Sequence, residues 1–425
     1  MNRLGWRAVA VFLLAGAALL VALRAWQGDA YWSYSDGVYA LSARLLLHGH
    51  DLYRELAAAQ PPPMFYAGAL LLAIRDSLDA LRIGLGIVDL ATGALVLAAT
   101  WRLTACRAPA VVAGLLALFT PLALHDHALL TPETLAAPLV MAAALLAARP
   151  GRAAAAGGAL GALAAACKLA YVLPAIGIAV AVRRRGYAAG LPAAAAAMTL
   201  AALVAFGQPL VRGTVMAQAQ TGLAGLGDVA GLWAQATWNL LPFAVPAVAA
   251  IALRSRARDE ALLRALLGAL GGALLVLGTL LKQGSYLNVV VVAEPPALAL
   301  AAFGAVALWE RRAVAPAALA AAALGAALWA VEVGSLLASP GDPALYGRPF
   351  AASAPGWVFG ASAVDRRVAA ARACPPGRAY SGPPYLAFLA RRRMPGDQPD
   401  QYILTQADTY RAKRDAAGRD QPRCP

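Results

Sequence analysis

Long apolar segments, poor in charged residues, alternate with short polar turns along the first 338 residues of the chain. A helix needs about 20 apolar residues to cross the ~30 Å hydrocarbon core of a bilayer, and several segments reach or approach that length. The pattern therefore predicts an all-α polytopic membrane protein. The predicted spans cover residues 8–23, 83–101, 108–124, 135–148, 153–182, 186–206, 240–253, 265–281, 289–309 and 313–336.

Two segments need separate treatment. Residues 153–182 are too long for one span and contain Lys168 near their middle, so we expect two short helices there and about eleven spans in total. Residues 64–74 are also apolar, but a crossing there would make the number of spans even, whereas a cytoplasmic N-terminus and an extracytoplasmic C-terminal part require an odd number. We therefore interpret them as a helix that lies on the outer leaflet or dips into it, with a full crossing as the alternative.

The composition agrees with this class: 61% of the residues are hydrophobic, 14% are charged, and the mean hydropathy is +0.63. The net charge of +14 comes from arginines in short turns between spans, the pattern that marks cytoplasmic loops. These residues are Arg102, Arg107, Arg149, Arg152, Arg183 to Arg185, Arg254 to Arg258, Arg311 and Arg312. Aromatic residues do not alternate with them, which argues against a nucleic-acid partner.

This charge pattern predicts a cytoplasmic N-terminus and an extracytoplasmic first loop at residues 27–81. The chain divides into a transmembrane domain, 1–338, and a small extracytoplasmic C-terminal domain, 339–425, where Pro, Gly, Asp and Arg become frequent. In the second domain, residues 378–381 and 401–405 predict strands, and 366–372 and 408–415 predict helices, so an α/β or α+β domain is expected. Cys374 and Cys424 both fall in it, where a disulfide can persist, and the sequence leaves that pairing open.

The polar residues that can carry chemistry gather in the predicted extracytoplasmic loops and at the adjoining helix ends. Polar groups held against a bilayer are costly, so a dense group of them indicates a site. Asp36, Asp126 and Glu133 are the candidate catalytic carboxylates. The candidate substrate-binding residues are Tyr39, Arg54, Lys168, Tyr171, Lys282, Tyr286, Asn288 and Glu294.

The order of these features resembles a known family. After the first span come Asp-x-x-Tyr at residues 36–39, a proline triplet at 61–63 and a span that starts with Arg82. The Lys168 hairpin, the segment KQGSYLN at 282–288 followed by Glu294-Pro295, and the tail motif YSGPPY at 380–385 complete the likeness. The chain is similar to the GT-C superfamily of integral-membrane glycosyltransferases, in the branch of protein O-mannosyltransferases and lipid A aminoarabinose transferases.

The resemblance implies transfer of a sugar, hexose or pentose, from a polyprenyl-phosphate carrier to a glycan, lipid or protein acceptor. Asp36 corresponds to the family's first-loop acid, which is expected to act as a base or to orient the acceptor. A carboxylate can take the proton of an acceptor hydroxyl as the new bond forms, and carboxylates stabilise an oxocarbenium-like state. The lipid phosphate that leaves needs cations, which Lys168, Lys282 and Arg54 are expected to supply.

No Cys or His pair has metal-ligand spacing, so we predict no metal site in the protein itself, although a divalent cation is compatible with the chemistry. The Ala- and Arg-rich composition favours a bacterial plasma membrane. A secondary transporter and a surface-polysaccharide polymerase or ligase are the alternative functions. Transporters usually consist of two similar halves with ionisable groups at the midplane, whereas the polar groups here collect in the predicted outer loops.

Overall fold

The structure is a computed structural model. It describes residues 5–30, 33–311, 360–420 and 423–424, together with the pairs 326–327, 330–331, 333–334 and 337–338. The predicted last span, 313–336, therefore lies largely outside the described residues. The protein is a helical, polytopic membrane protein, as expected.

The helices that precede residue 312 alternate with short turns and short 3-10 segments. The first eight are α1 (Trp6–Gln27), α2 (Tyr34–Leu47), α3 (Pro62–Ile74), α4 (Leu78–Thr104), α5 (Arg107–Leu116), α6 (Pro121–His125), α7 (Pro132–Ala147) and α8 (Arg152–Cys167). They are followed by α9 (Val172–Val182), α10 (Arg185–Phe206), α11 (Gln208–Val211), α12 (Ala217–Gln220), α13 (Leu226–Ala252), α14 (Glu260–Val276) and α15 (Glu294–Arg311). The 3-10 segments include Leu169–Tyr171, Leu277–Leu281 and Leu287–Val292.

Among the described residues, five helices are long and apolar enough to cross a membrane: α1, α4, α10, α13, and α14 with its 3-10 extension to Leu281. The predicted break of residues 153–182 is confirmed, because α8 ends at Cys167 and α9 begins at Val172. Lys168 between them has an extended backbone. The segment at 64–74 forms α3, whose 13 residues span ~20 Å and are too few to cross the hydrocarbon core upright.

Two predicted spans have different bounds in the structure. Residues 108–124 do not form one helix: α5 ends at Leu116, and α6 starts afresh at Pro121 behind the capping hydroxyl of Thr120. Proline cannot continue a preceding helix because it lacks an N–H and its ring clashes with the turn before it. The predicted span 240–253 is the second half of a longer helix, because α13 already begins at Leu226, and most residues between the predicted spans 186–206 and 240–253 are helical.

The arginine-rich turns meet at one end of the bundle, which we call the basic end. There Arg102, at the end of α4, forms an ion pair with Asp259 at the start of α14. Arg256 lies 4.0 Å from Glu310 at the end of α15. The starts of α4 and α7, the α8–α9 break and the end of α14 lie at the opposite end, so the candidate residues and the basic turns are separated by the length of the bundle.

The C-terminal part contains the helices α16 (Ala361–Arg372), α17 (Pro384–Ala390), α18 (Gln401–Gln406) and α19 (Arg411–Arg419). Strands β1 (Ala379–Tyr380) and β2 (Arg423–Cys424) form a parallel pair, and a disulfide joins Cys374 to Cys424. The strand predicted at 401–405 is wrong: Asp400 accepts a hydrogen bond from the Ile403 N–H at 3.0 Å and caps a helix instead.

One hydrophobic core joins the C-terminal domain to the first loop. A Cβ atom at Gly37 in α2 would lie 2.5 Å from the backbone nitrogen of Tyr385 in α17, so only glycine allows this approach. Further along, the hydroxyl of Tyr410 donates to the carbonyl of Ala58 at 2.8 Å. The C-terminal part therefore covers the portions of the first loop around Gly37 and Ala58, while residues such as Arg54 stay exposed.

Candidate active site

Asp36 lies in the first turn of α2 and forms a buried ion pair with Arg82 in α4. The two guanidinium nitrogens donate to the two carboxylate oxygens at 3.0 and 2.6 Å, and only 1% of Asp36 and 2% of Arg82 is exposed. The N–H of Leu130 also donates to Asp36 at 2.7 Å, and Arg82 donates to the carbonyl of Ala128 at 2.8 Å. Asp36 is thus not a solvated loop carboxylate; it ties the second loop to the first.

Glu133 is a completely buried carboxylate at the N-terminus of α7. The hydroxyl of Thr131 caps this helix, and Pro132 occupies its first position, where its missing N–H costs nothing. Lys168 Nζ and the Tyr171 hydroxyl donate to Glu133 Oε1 at 2.7 and 2.8 Å. The other oxygen, Oε2, has no hydrogen-bond partner in the described part of the chain. The break between α8 and α9 is what turns Lys168 and Tyr171 towards Glu133.

Lys282 follows directly after the extension of α14 and lies near Lys168. Its ammonium donates to the side-chain oxygen of Gln218, whose amide in turn donates to the carbonyl of Ala59 at 2.7 Å. Burial, together with the nearby positive charge of Lys168, lowers the pKa of Lys282 to about 8. Two of the three cations predicted from the sequence, Lys168 and Lys282, are therefore close to each other.

Asp126 lies in the second loop and lines a small buried cavity. It is 4% exposed, and its Oδ1 pairs with His125 Nδ1 at 2.7 Å. Burial raises the pKa of Asp126, and the nearby Glu133 and Asp89 act in the same direction. The cavity is also lined by Asp89, His127 and Glu294. Three carboxyl groups thus converge beneath this loop.

The remaining candidates take different places. Tyr39 is buried in α2, and burial raises its pKa, with the negative charges of Asp400 and Glu133 acting in the same direction. Glu294 accepts a hydrogen bond from the Thr120 hydroxyl. Tyr286 and Asn288 lie half-buried at the 3-10 segment that precedes α15.

Arg54 stands apart from the two lysines. Its side chain is 58% exposed in the first loop, and its ion-pair partner, at 3.9 Å, is Asp51. Its role in phosphate binding stays a prediction.

Several residues of the site were not among the sequence candidates. Arg82 and Asp89 could have been identified from the sequence, because an ionisable side chain within an apolar span is a functional candidate by default. Tyr385 was quoted only as the last residue of the tail motif at 380–385, and Gln218 and Asp400 had no signal, since they come from distant parts of the chain with ordinary polar surroundings. Within residues 5–30, 33–311 and the other described positions, no three His, Cys, Asp or Glu side chains are arranged to hold a metal ion.

Comparison with solved structures shows which fold this is. The crystal structure of ArnT from Cupriavidus metallidurans bound to undecaprenyl phosphate superposes with a TM-score of 0.66 and 15% sequence identity, over 98% of this chain and 89% of that one. The apo state of the same protein gives a TM-score of 0.60 and 16% identity, over 95% and 88% of the chains. No protein-family model and no curated protein matches the sequence. At this identity the likeness establishes that this chain shares the fold of ArnT along nearly its whole length.

Proposed function

We propose that this protein is an inverting glycosyltransferase of the bacterial plasma membrane. It moves a hexose or pentose from a polyprenyl-phosphate-linked donor to a glycan, lipid or protein acceptor in the cell envelope. The basic end of the bundle faces the cytoplasm, as arginine-rich turns do, and the opposite end, with the C-terminal domain, is extracytoplasmic. An ArnT of the same fold was crystallised with undecaprenyl phosphate, which supports a donor of this type.

The observation that carries the proposal is the ion pair between Lys168 and the buried carboxylate of Glu133, with a second ammonium, that of Lys282, close to Lys168. When the sugar is transferred, the bond from its anomeric carbon to the phosphate oxygen breaks, and negative charge collects on the departing lipid phosphate. Preorganised cations in a site with little water stabilise that charge strongly. Two lysines at the ends of apolar helices are suited to this, because an ammonium there reaches the headgroup layer.

Glu133 is the carboxylate that we assign to proton removal. The acceptor oxygen attacks the anomeric carbon, and its proton passes to a carboxylate as the bond forms. Glu133 has one oxygen without a hydrogen-bond partner in the described residues, and its contact with Lys168 relaxes when that lysine turns to the phosphate. The attack is a single displacement, so the configuration at the anomeric carbon inverts.

Asp36 and Asp126 serve different parts of the same reaction in this proposal. Both oxygens of Asp36 already accept hydrogen bonds from Arg82, so Asp36 orients the acceptor side of the site by holding residues 128–130 in place. Asp126 pairs with His125, and this pair adds negative charge near the developing oxocarbenium ion.

The test uses the purified full chain in lipid nanodiscs with undecaprenyl phosphate that carries labelled arabinose, mannose or glucose. Release of the label from the lipid, to water or to an acceptor extracted from envelopes, is followed with time. Replacing Glu133 by Gln is expected to lower the rate by about 100-fold or more while binding of undecaprenyl phosphate persists, as is typical for loss of a general base. Arg254→Ala, an exposed substitution at the basic end, is the matched control and is expected to keep the full rate.

Three results would contradict the proposal. Absence of release from every donor tested would refute transfer, and uptake of free sugar into sealed vesicles would favour a transporter. If Asp36→Asn removed turnover while the thermal stability and the KM stayed normal, and Glu133→Gln did not, Asp36 would be the base.

A further inference from the structure

A groove at the junction of the first loop and the C-terminal domain has no part in the site described above. It lies between the C-terminal half of α2, the turn that joins α3 to α4, and the residues that follow α17. It encloses about 240 Å³. The polar residues that line it are Arg44, His48, Asp76, Arg391, Arg392, Arg393 and Asp397.

The groove carries an excess of positive charge. Four arginines line it, Arg44, Arg391, Arg392 and Arg393, against the carboxylates of Asp76 and Asp397 and that of Asp420, which pairs with Arg393. His48 at its edge adds a further charge when it is protonated. A cavity with such an excess favours an anion, and arginine matches phosphate particularly well because its planar donors can bind two oxygens at once.

Two of these arginines are held rigidly, and one is free to adapt. Arg44 pairs with Asp76 at 2.6 Å and stacks 3.7 Å above the ring of Phe388, while Arg393 binds Asp420 at 2.6 and 2.8 Å. Arg391, in contrast, is 70% exposed; it lies 3.6 Å from the Asp76 carboxylate and donates an exposed hydrogen bond to the Asp76 carbonyl at 3.2 Å. An exposed ion pair of this length contributes little, so Arg391 can leave Asp76 for a phosphate at small cost.

The groove lies at the edge of the membrane. Asp76 belongs to the turn that immediately precedes α4, one of the membrane-crossing helices. Apolar side chains beside this turn are open to the surroundings: Ile74 is 78% exposed, Ile83 60% and Leu47 41%. On a membrane protein such a surface faces lipid tails, so the arginines above it are at the height of the headgroups.

We propose that this groove binds the phosphate-bearing headgroup of an anionic membrane lipid, with Arg391 closing over the phosphate and the lipid tails lying along the exposed apolar residues of α3 and α4. A free phosphate ion would meet the same guanidinium groups. The adjoining apolar surface favours the lipid, because only a lipid uses both features. The proposal is independent of the transferase activity, since the groove contains none of the residues assigned to the reaction.

The chain offers a matched pair of arginines for the test. Arg391 and Arg411 both belong to the C-terminal domain, are 70% and 67% exposed, and lie 3.6 and 3.3 Å from a carboxylate. The full chain, purified in neutral detergent, is titrated with phosphatidylglycerol or phosphatidylcholine, and bound lipid is counted by native mass spectrometry. Arg391→Ala is expected to weaken phosphatidylglycerol binding about fivefold, corresponding to roughly 1 kcal/mol for one basic residue near an anionic headgroup. Arg391→Lys is expected to restore most of the binding.

The control variant, the neutral lipid and inorganic phosphate each give a result that would overturn the proposal. Equal losses in Arg391→Ala and Arg411→Ala, or equal binding of phosphatidylcholine and phosphatidylglycerol, would overturn it. Inorganic phosphate is titrated in parallel: if it binds and depends on Arg391 while phosphatidylglycerol does not bind, the groove is a soluble-anion site and the lipid assignment is wrong. Thermal unfolding of each variant shows that the fold is intact, and sugar release is expected to be unchanged in all of them.

Discussion

Among the residues that the structure describes, the buried charged side chains have partners. Asp36 and Arg82, each 2% exposed or less, satisfy one another through two hydrogen bonds. Removing one member of such a pair leaves an uncompensated charge and costs ~3–5 kcal/mol, whereas the intact pair adds little net stability. The pair is therefore better understood as a device that fixes the geometry of two loops than as a source of stability.

Glu133 differs from Asp36 because only one of its two carboxylate oxygens accepts hydrogen bonds among the described residues. Its Oε1 holds Lys168 and Tyr171, but Oε2 has no hydrogen-bond partner in the described residues. A buried polar atom without a partner costs ~1–3 kcal/mol, and such atoms are expected where a protein meets a ligand. This contrast between two buried carboxylates is the reason for assigning them different roles.

Lys282 leads to a prediction about pH. Its pKa is lowered to about 8, so its ammonium is present below that pH and is lost as the pH rises through it. Binding of undecaprenyl phosphate to the full chain, measured by lipid titration between pH 6.5 and 9.5, is expected to weaken above pH 8. Arg in place of Lys282 stays charged throughout this range and is expected to remove most of the decline. A decline of the same size in Lys282→Arg would contradict the assignment of Lys282 as a phosphate ligand.

At the scale of elements, close contacts between small residues bring the site helices together. A Cβ atom at Gly272 in α14 would lie 2.3 Å from the carbonyl oxygen of Leu173 in α9. In a bilayer, where lipid tails are as apolar as the helices, such backbone contacts are a principal source of helix association. Because α9 follows directly after Lys168 and Tyr171, this contact also sets the position of those two side chains.

A neighbouring pair of glycines tests that contact. Gly272 is buried against α9, whereas a Cβ atom at Gly271, one residue earlier in the same helix, would meet nothing within 4 Å. Replacing glycine by alanine raises the intrinsic helix propensity by the same amount at both positions. The difference in stability between the two variants therefore reports packing alone. Gly272→Ala is expected to destabilise the protein by ~1–3 kcal/mol and to slow sugar release, while Gly271→Ala is neutral or stabilising. Thermal unfolding in nanodiscs measures the first effect; equal shifts for both variants would refute the packing argument.

The residues at which helices begin and end depend on short local signals in the sequence. The break of residues 153–182 follows from a lysine in an apolar run, and that prediction is confirmed. The break between α5 and α6 follows from Thr120-Pro121, a capping residue and a helix-starting proline, a signal present in the sequence that hydropathy alone passes over. The prediction of a strand at 401–405 was wrong because the capping carboxylate of Asp400 outweighed an alternating pattern only five residues long.

For the whole molecule, residues 361–420 form one wall of the candidate site. Tyr385 lies against Gly37, one residue from the Asp36 carboxylate, and the ring of Tyr402 lies beside Gly284, two residues from Lys282. Gln398 bonds to the backbone of Ala57 at 2.7 Å. The domain thus contacts the segments that carry both Asp36 and Lys282, and its docking is expected to be necessary for their alignment.

This docking is tested by Gly37→Leu, since any side chain there collides with the Tyr385 backbone. Faster amide hydrogen exchange in α17 and loss of sugar release are expected, with the exchange of α14 unchanged. Gly227→Leu is the control, because a Cβ atom at Gly227 has open space around it. Normal exchange in α17 of Gly37→Leu would show that the domain is not held by this contact.

The sequence by itself determined the class of the protein, the helical bundle with its break at Lys168, and the collection of acids and lysines at one end, because hydropathy, charge bias and helix breaks are local properties of the chain. Only the tertiary structure decided which of these residues meet. Arg82 neutralises Asp36, Lys168 joins Glu133, and the C-terminal domain closes over the first loop through contacts between residues more than 300 positions apart. Such pairings depend on how whole helices pack, and the free energy of that packing is spread over many side chains that no short segment reveals.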